Sequence, residues 1–167
     1  MTDFLRGLFL GTGERIAGIV YGTIIVMSVI AAGSAGTQTN AAEIAALAIP
    51  TSIVLWIAHV YSHTLELSVE SGRRLSWASL RALAHREASI VRAAVLPSAA
   101  LLLGAFGLLA DRTAVWLALG VGTAVLAGQA LVYARLEGLG KLQTAASVGT
   151  NLLLGLTVVA LEASLAH

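Results

Sequence analysis

The chain has 167 residues, 57% of them hydrophobic and only 11% charged, against a charged fraction of about 25% in ordinary soluble domains. A net charge of +1 with no basic run points away from nucleic acid as a partner, and the absence of cysteine excludes disulfides, thiolate metal sites and cysteine nucleophiles. The expected fold class is therefore an all-α integral membrane protein, a single transmembrane domain over 1–167 that has the lipid bilayer as its surroundings.

The first fourteen residues, MTDFLRGLFLGTGE, form a short apolar stretch interrupted by Arg6 and by glycines. They read as an interfacial lead-in rather than a removable signal, because no A-x-A cleavage site precedes the first long apolar run. Five runs then approach the roughly 20 residues that a helix needs to cross the hydrocarbon core. They lie at about 16–33, 43–64, 90–110, 114–134 and 143–165. The segments GSAGTQTN, ADRT and ARLEGLGK between them hold the glycines, polar groups and charges that the runs lack.

The long connector from 65 to 89 differs from the others. Its stretch LSWASLRALAHREASI sets Leu75, Leu80 and Leu83 beside Trp77, with Arg81, His85, Arg86 and Glu87 mostly elsewhere around the helix. The pattern predicts a surface amphipathic segment between helices 2 and 3, with a plain continuation of a neighbouring helix as the alternative.

Basic residues orient the spans, because Lys and Arg are retained on the cytoplasmic side during insertion. Arg6, Arg15, Arg73, Arg74, Arg81, Arg86, Arg92, Arg135 and Lys141 all fall on one side of a five-span arrangement, and of the ten basic residues only Arg112 falls on the other. This predicts a bacterial inner or plasma membrane protein with a cytoplasmic N-terminus and an external C-terminus. With that orientation and a rise of about 1.5 Å per residue, Tyr21, His59, Pro97, Gln129 and Asn151 fall at similar depth on the cytoplasmic half, one from each span. Polar groups at that depth need partners or water, so the expectation is a shared polar layer that either fixes helix packing or lines a path for ions.

The second run carries the densest polar pattern. Ser52, Trp56, His59, His63, Glu66, Glu70 and Arg73 repeat at three-four spacing and share one helical face. A neutral imidazole offers one donor and one acceptor and changes charge near physiological pH, so His59 suits a proton relay or pH sensor. Two imidazoles and a carboxylate also form a ligand set for Zn, Mn or Fe, which makes His59, His63 and Glu66 the candidate metal ligands. No HExxH, Walker loop, dinucleotide fingerprint or G-x-S-x-G motif is present, so an enzymatic reading rests on the histidine stripe alone. The sequence leaves any cofactor undetermined.

Small residues mark close helix contacts. Gly18 and Gly22 form GxxxG on the first span, while Gly120, Ala124 and Gly128 extend a small-residue face on the fourth; the pattern leaves open whether these contacts lie within or between subunits. Glu43 and Glu162 fall near external helix ends, where a solvated carboxylate is the plain reading and an acidic entrance ring the alternative.

Arg15 followed by GIVYGTII, W-I-A-H at Trp56 to His59, and VLPSAALLLG around Pro97 together resemble the endolysosomal potassium channel family and its bacterial relatives. That family carries R-x3-F-S-D on a pore-lining first helix, a W-x-x-H-type element on the second and a proline in the third. Here Ile19, Val20 and Tyr21 stand in place of F-S-D, and five spans replace the family's six. The resemblance implies a homo-oligomer whose first helices surround a narrow pore lined by residues such as Ile24 and Ser28. The expected function is thus a small membrane channel or transporter for cations or protons, with Tyr21, His59, Gln129 and Asn151 as its polar layer. A membrane metal-binding protein or redox enzyme is the first alternative, and a non-catalytic membrane accessory protein the second.

Overall fold

The computed structural model describes residues 13–34, 40–72 and 76–165. The lead-in at 1–12, most of the first connector, and Arg73, Arg74 and Leu75 lie outside the described residues, as does the side chain of Glu162. Six α-helices follow in order: α1 (Gly13–Ser34), α2 (Ala41–Ser71), α3 (Trp77–Glu87), α4 (Ser89–Ala105), α5 (Asp111–Leu136) and α6 (Lys141–Leu165). Among the described residues, five helical stretches are long and apolar enough to cross a membrane, with α3 and α4 together counting as one, Trp77–Ala105. Four of them match the apolar runs of the sequence to within a few residues at most ends; the third differs from the expected 90–110, because the helix ends at Ala105 in a turn with Gly107 at a φ of 72° and begins earlier through α3.

Local chemistry explains the helix ends. Asn40 caps α2 by accepting hydrogen bonds from the backbone N–H groups of Ala42 and Glu43 at 3.0 and 3.3 Å, and its amide donates to Glu43 Oε1 at 3.1 Å. Glu43 therefore completes a cap, where its charge also meets the positive end of the helix dipole. Gly72, with φ of 63°, ends α2 in the left-handed conformation that glycine adopts without a Cβ clash. Ser76 then caps α3 through the Ser79 N–H at 3.2 Å.

The amphipathic segment is a distinct helix that runs almost without interruption into the third span. Only Ala88 separates α3 from α4, and its φ and ψ of −61° and −9° stay in the right-handed helical region. Leu83 is buried and Leu80 half-buried, whereas Trp77 is 79% exposed. The apolar side of α3 is docked on α2: the Trp56 indole N–H donates to the Ala84 carbonyl at 3.0 Å.

The core lies between α1, α2, α4 and α5, where Met27, Ile30, Ile44, Leu101, Leu119 and Leu126 are almost wholly buried. In lipid, close packing rather than water exclusion holds such helices together. The GxxxG pair serves that packing inside this chain: a Cβ on Gly22 would stand 2.6 Å from the Ile90 carbonyl oxygen of α4, and one on Gly18 would clash with Ser89 Oγ. On α5 the small face divides. Gly122 receives Met27 of α1, while Gly120 meets nothing within 4 Å.

Several hydroxyls inside the apolar helices are satisfied locally, although the buried Ser98 Oγ has no hydrogen-bond partner among the described residues. Thr23, Ser52 and Thr123 donate to the carbonyls of Ile19, Ala48 and Leu119 at 2.7, 2.8 and 2.9 Å, four residues back in each case. Such back-bonding lets polar side chains occupy an apolar helix without a distant partner. Histidine and glutamate side chains have no equivalent local solution, so their positions report more about the assembled fold.

Candidate metal centre between α1, α2 and α3

His59 and His63 project from one face of α2, one turn apart, with their ring centroids 5.0 Å from each other in an edge-on arrangement. The α3 helix brings Glu87 to both. His63 Nδ1 lies 3.1 Å from Glu87 Oε1, and His59 Nε2 lies 3.9 Å from Glu87 Oε2. Glu87 is only 8% exposed. A buried carboxylate needs charge-assisted partners; the His63 imidazole supplies one at 3.1 Å, and His59 stands just beyond hydrogen-bonding distance at 3.9 Å.

One ligand atom from each of His59, His63 and Glu87 falls within 4.8 Å of the others. In a tetrahedral site with metal–nitrogen and metal–oxygen distances near 2.0–2.2 Å, neighbouring donors stand about 3.3 Å apart. His63 Nδ1 stands 3.1 Å from Glu87 Oε1 and His59 Nε2 3.9 Å from Oε2, and with one donor atom from each residue the set spreads over as much as 4.8 Å, so side-chain rotations that draw the three donors together are needed to close it on an ion. These residues fit a divalent transition metal in chemistry and in number, and three protein ligands leave a coordination position open.

The three residues line a cavity of about 440 Å³ together with Ala17, Gly18, Tyr21 and Arg86. The Tyr21 ring sits 5.8 Å from that of His59. Gly18 both lines the cavity and allows α1 to approach the start of α4, which keeps Tyr21 close to the centre. Comparisons with protein-family models, with curated proteins and with solved structures gave no match. The geometry of the site is therefore the ground on which a function can be argued.

The sequence-derived ligand set shares two members with this cluster. Glu66 stands on the other side of His63, its Oε2 3.9 Å from Nε2, and its side chain is 62% exposed. The third member of the cluster is Glu87, which came from the segment read as a surface helix. A signal for it exists in the pattern: Glu87 is four residues beyond Leu83 and seven beyond Leu80, so it shares their apolar face rather than the arginine face. A carboxylate on the apolar side of an amphipathic helix requires a partner in whatever that side covers.

The expected polar layer is divided by α1. Tyr21 and His59 meet on one side of the helix. Gln129 and Asn151 line a separate cavity of about 250 Å³ with Tyr133 and Ser147 on the other, and Ala17 borders both. Gln129 is wholly buried. The Asn151 amide donates to the Ser147 carbonyl at 3.1 Å, while its Oδ1 has no hydrogen-bond partner among the described residues. Pro97 is buried, and its neighbour Ser98 borders an apolar groove with Ile49 and Ser52 of α2. Depth alone placed these residues in one layer; their directions around each helix separate them.

The two residues expected to line a pore also point differently. Ile24 packs against the core, whereas Ser28 is exposed and donates to the Ile24 carbonyl at 2.9 Å.

Proposed function

We propose that this chain is a membrane protein that binds a divalent transition-metal ion through His59 Nε2, His63 Nδ1 and a Glu87 oxygen. The observation that carries this reading is the convergence of a buried glutamate from α3 on two histidines of α2, at the wall of a cavity. One coordination position is left for water or a small ligand, with Tyr21 nearby. The bound ion supplies Lewis acidity or, if it is iron or manganese, redox chemistry. The protein's own residues hold the ion, keep Glu87 out of bulk water and shape the space at the open position.

In the orientation given by the basic residues, this centre lies on the cytoplasmic half of the bilayer and α3 starts, at Trp77, toward the cytoplasmic surface. The exposed Trp77 and Arg81 fit that placement. The deciding experiment is metal analysis of purified protein after loading with Zn²⁺ or Mn²⁺ and desalting. About one ion per chain is expected, with loss of the retained ion in Glu87→Gln and His59→Ala variants that stay folded. Wild-type protein that retains no ion after loading overturns the reading.

Cation or proton permeation is the second reading, favoured by the position of His63 between a buried carboxylate, Glu87, and an exposed one, Glu66. Such a chain passes protons to the aqueous side. Within one chain, Met27, Ile30, Ile44, Leu101 and Leu119 fill the opposite half with apolar side chains. A path across the membrane would then run between copies in a homo-oligomer, along the exposed side of α1 that carries Ser28. Ion flux in reconstituted vesicles tests it: flux that persists unchanged in His59→Ala and Ser28→Leu removes both residues from any path.

A further inference from the structure

His63 and Arg86 both border two spaces. One is the cavity that carries Glu87, His59 and Tyr21; the other is a smaller cavity, about 260 Å³, lined by His63, Glu66, Leu67, Glu70, Leu83 and Arg86. The two ring nitrogens of His63 face different carboxylates, Nδ1 toward Glu87 at 3.1 Å and Nε2 toward Glu66 at 3.9 Å. We infer that Glu66 is a positioning residue for the metal centre, holding the His63 proton on Nε2 so that the Nδ1 lone pair is presented to the ion.

The inference rests on the metal-binding reading and deepens it. A neutral imidazole has one proton for two nitrogens, and only the nitrogen without it can bind a metal. With no ion present, Glu87 draws the proton to Nδ1, because a carboxylate at 3.1 Å is a strong acceptor. When the ion takes Nδ1, the ring must carry its proton on Nε2, and that N–H then points at a carboxylate only if Glu66 is there. Glu66 is three residues along the same helix, so it stays on the Nε2 side whatever α3 does. Its exposure suits this role: it need not be desolvated to accept one hydrogen bond, directly after a small rotation or through one water. Glu70 borders the same smaller cavity and contributes charge there, but the carboxylate set toward Nε2, 3.9 Å away, is that of Glu66.

A carboxylate that accepts from the far nitrogen of a metal-bound histidine changes metal affinity by about 10- to 100-fold when removed. The test uses Co²⁺ as the probe in full-length protein in detergent, titrated by its visible absorption, for wild type, Glu66→Leu, Glu66→Gln and Glu70→Gln. Positioning predicts that Glu66→Leu weakens Co²⁺ binding by about 10- to 100-fold at unchanged stoichiometry. Glu66→Gln, which keeps an acceptor oxygen, stays closer to wild type, and Glu70→Gln matches wild type. Nitrogen-15 NMR of histidine-labelled, Zn²⁺-loaded wild type should show His63 metallated at Nδ1 and protonated at Nε2, with that form depleted in Glu66→Leu.

Wild-type affinity in Glu66→Leu overturns the inference, as does metallation of His63 at Nε2. An equal loss in Glu66→Gln, Glu66→Leu and Glu70→Gln also overturns it, since negative charge alone would then account for the effect. Failure of wild-type protein to bind Co²⁺ overturns the metal reading itself, a result that Glu66 variants cannot produce.

Discussion

Glu87 Oε1 and His63 Nδ1 lie 3.1 Å apart although the residues are 24 positions apart in sequence. One turn earlier on α3, the Ala84 carbonyl accepts the Trp56 indole N–H at 3.0 Å, and Trp56 lies one turn before His59 and two turns before His63 on α2. The two contacts form a pair of rungs between the same helices, one structural and one at the candidate centre. Whatever loosens the first should displace the second.

Trp56→Phe keeps most of the ring and removes only the indole donor. Losing one hydrogen bond of this kind costs roughly 1 kcal/mol and leaves the Ala84 carbonyl to find another donor. A lower unfolding temperature in detergent is expected, together with weaker metal retention at His59, His63 and Glu87. If retention stays at the wild-type level while stability falls, α3 is held in register by its other contacts and Trp56 is no support for the centre.

The glycines of α1 and α5 should respond in opposite ways. Gly22→Ala places a methyl group 2.6 Å from a backbone carbonyl oxygen, and overpacking at such a contact costs about 1–3 kcal/mol. Gly120→Ala meets open space within the chain and should leave stability nearly unchanged. Unfolding in mild detergent compares the two directly. A large loss in Gly120→Ala would instead mark that face of α5 as covered by another molecule.

Orientation can be read with reporters. Nine of the ten basic residues fall on one side of the five-span arrangement, so a reporter fused after His167 should be external and one inserted at Gly72 cytoplasmic. Both reporters on the same side would remove the five-span topology and the assignment of the metal centre to the cytoplasmic half.

Trp77 is 79% exposed on α3 and offers an intrinsic probe of the membrane surface. Protein with Trp77 as its only tryptophan, with phenylalanine at Trp56 and Trp116, should be quenched by brominated lipids near the headgroups. Its emission should also shift with anionic lipid content, through the exposed Arg81 on the same helix. Emission that ignores lipid composition would place α3 in water.

The five long apolar helices were legible because a helix able to cross a bilayer needs a length and a composition that any sufficiently apolar run reveals. The same holds for features confined to one helix. The three-four spacing of His59, His63 and Glu66 puts them on one face of α2 wherever that helix packs, and Gly18 and Gly22 mark a close contact before its partner is known. Glu43 shows the edge of this reasoning: its place near a helix end was visible, but its role beside the Asn40 amide required the cap geometry.

Periodicity within a helix carries no information about rotation relative to the next one. Tyr21, His59, Gln129 and Asn151 fall at one expected depth when the helices are aligned by sequence, yet the placement of α1 between α2 on one side and α5 and α6 on the other sends them into two cavities that share only Ala17. The candidate centre depends on the same kind of fact. His59 and His63 were evident from α2 alone, but the carboxylate that joins them is Glu87 rather than a neighbour in sequence, because Gly72 ends α2 and the chain returns with the apolar side of α3 against it. Residues on one helix are ordered by its pitch; residues on two helices meet only where turn geometry and side-chain packing bring their faces together, and that is a property of the assembled fold.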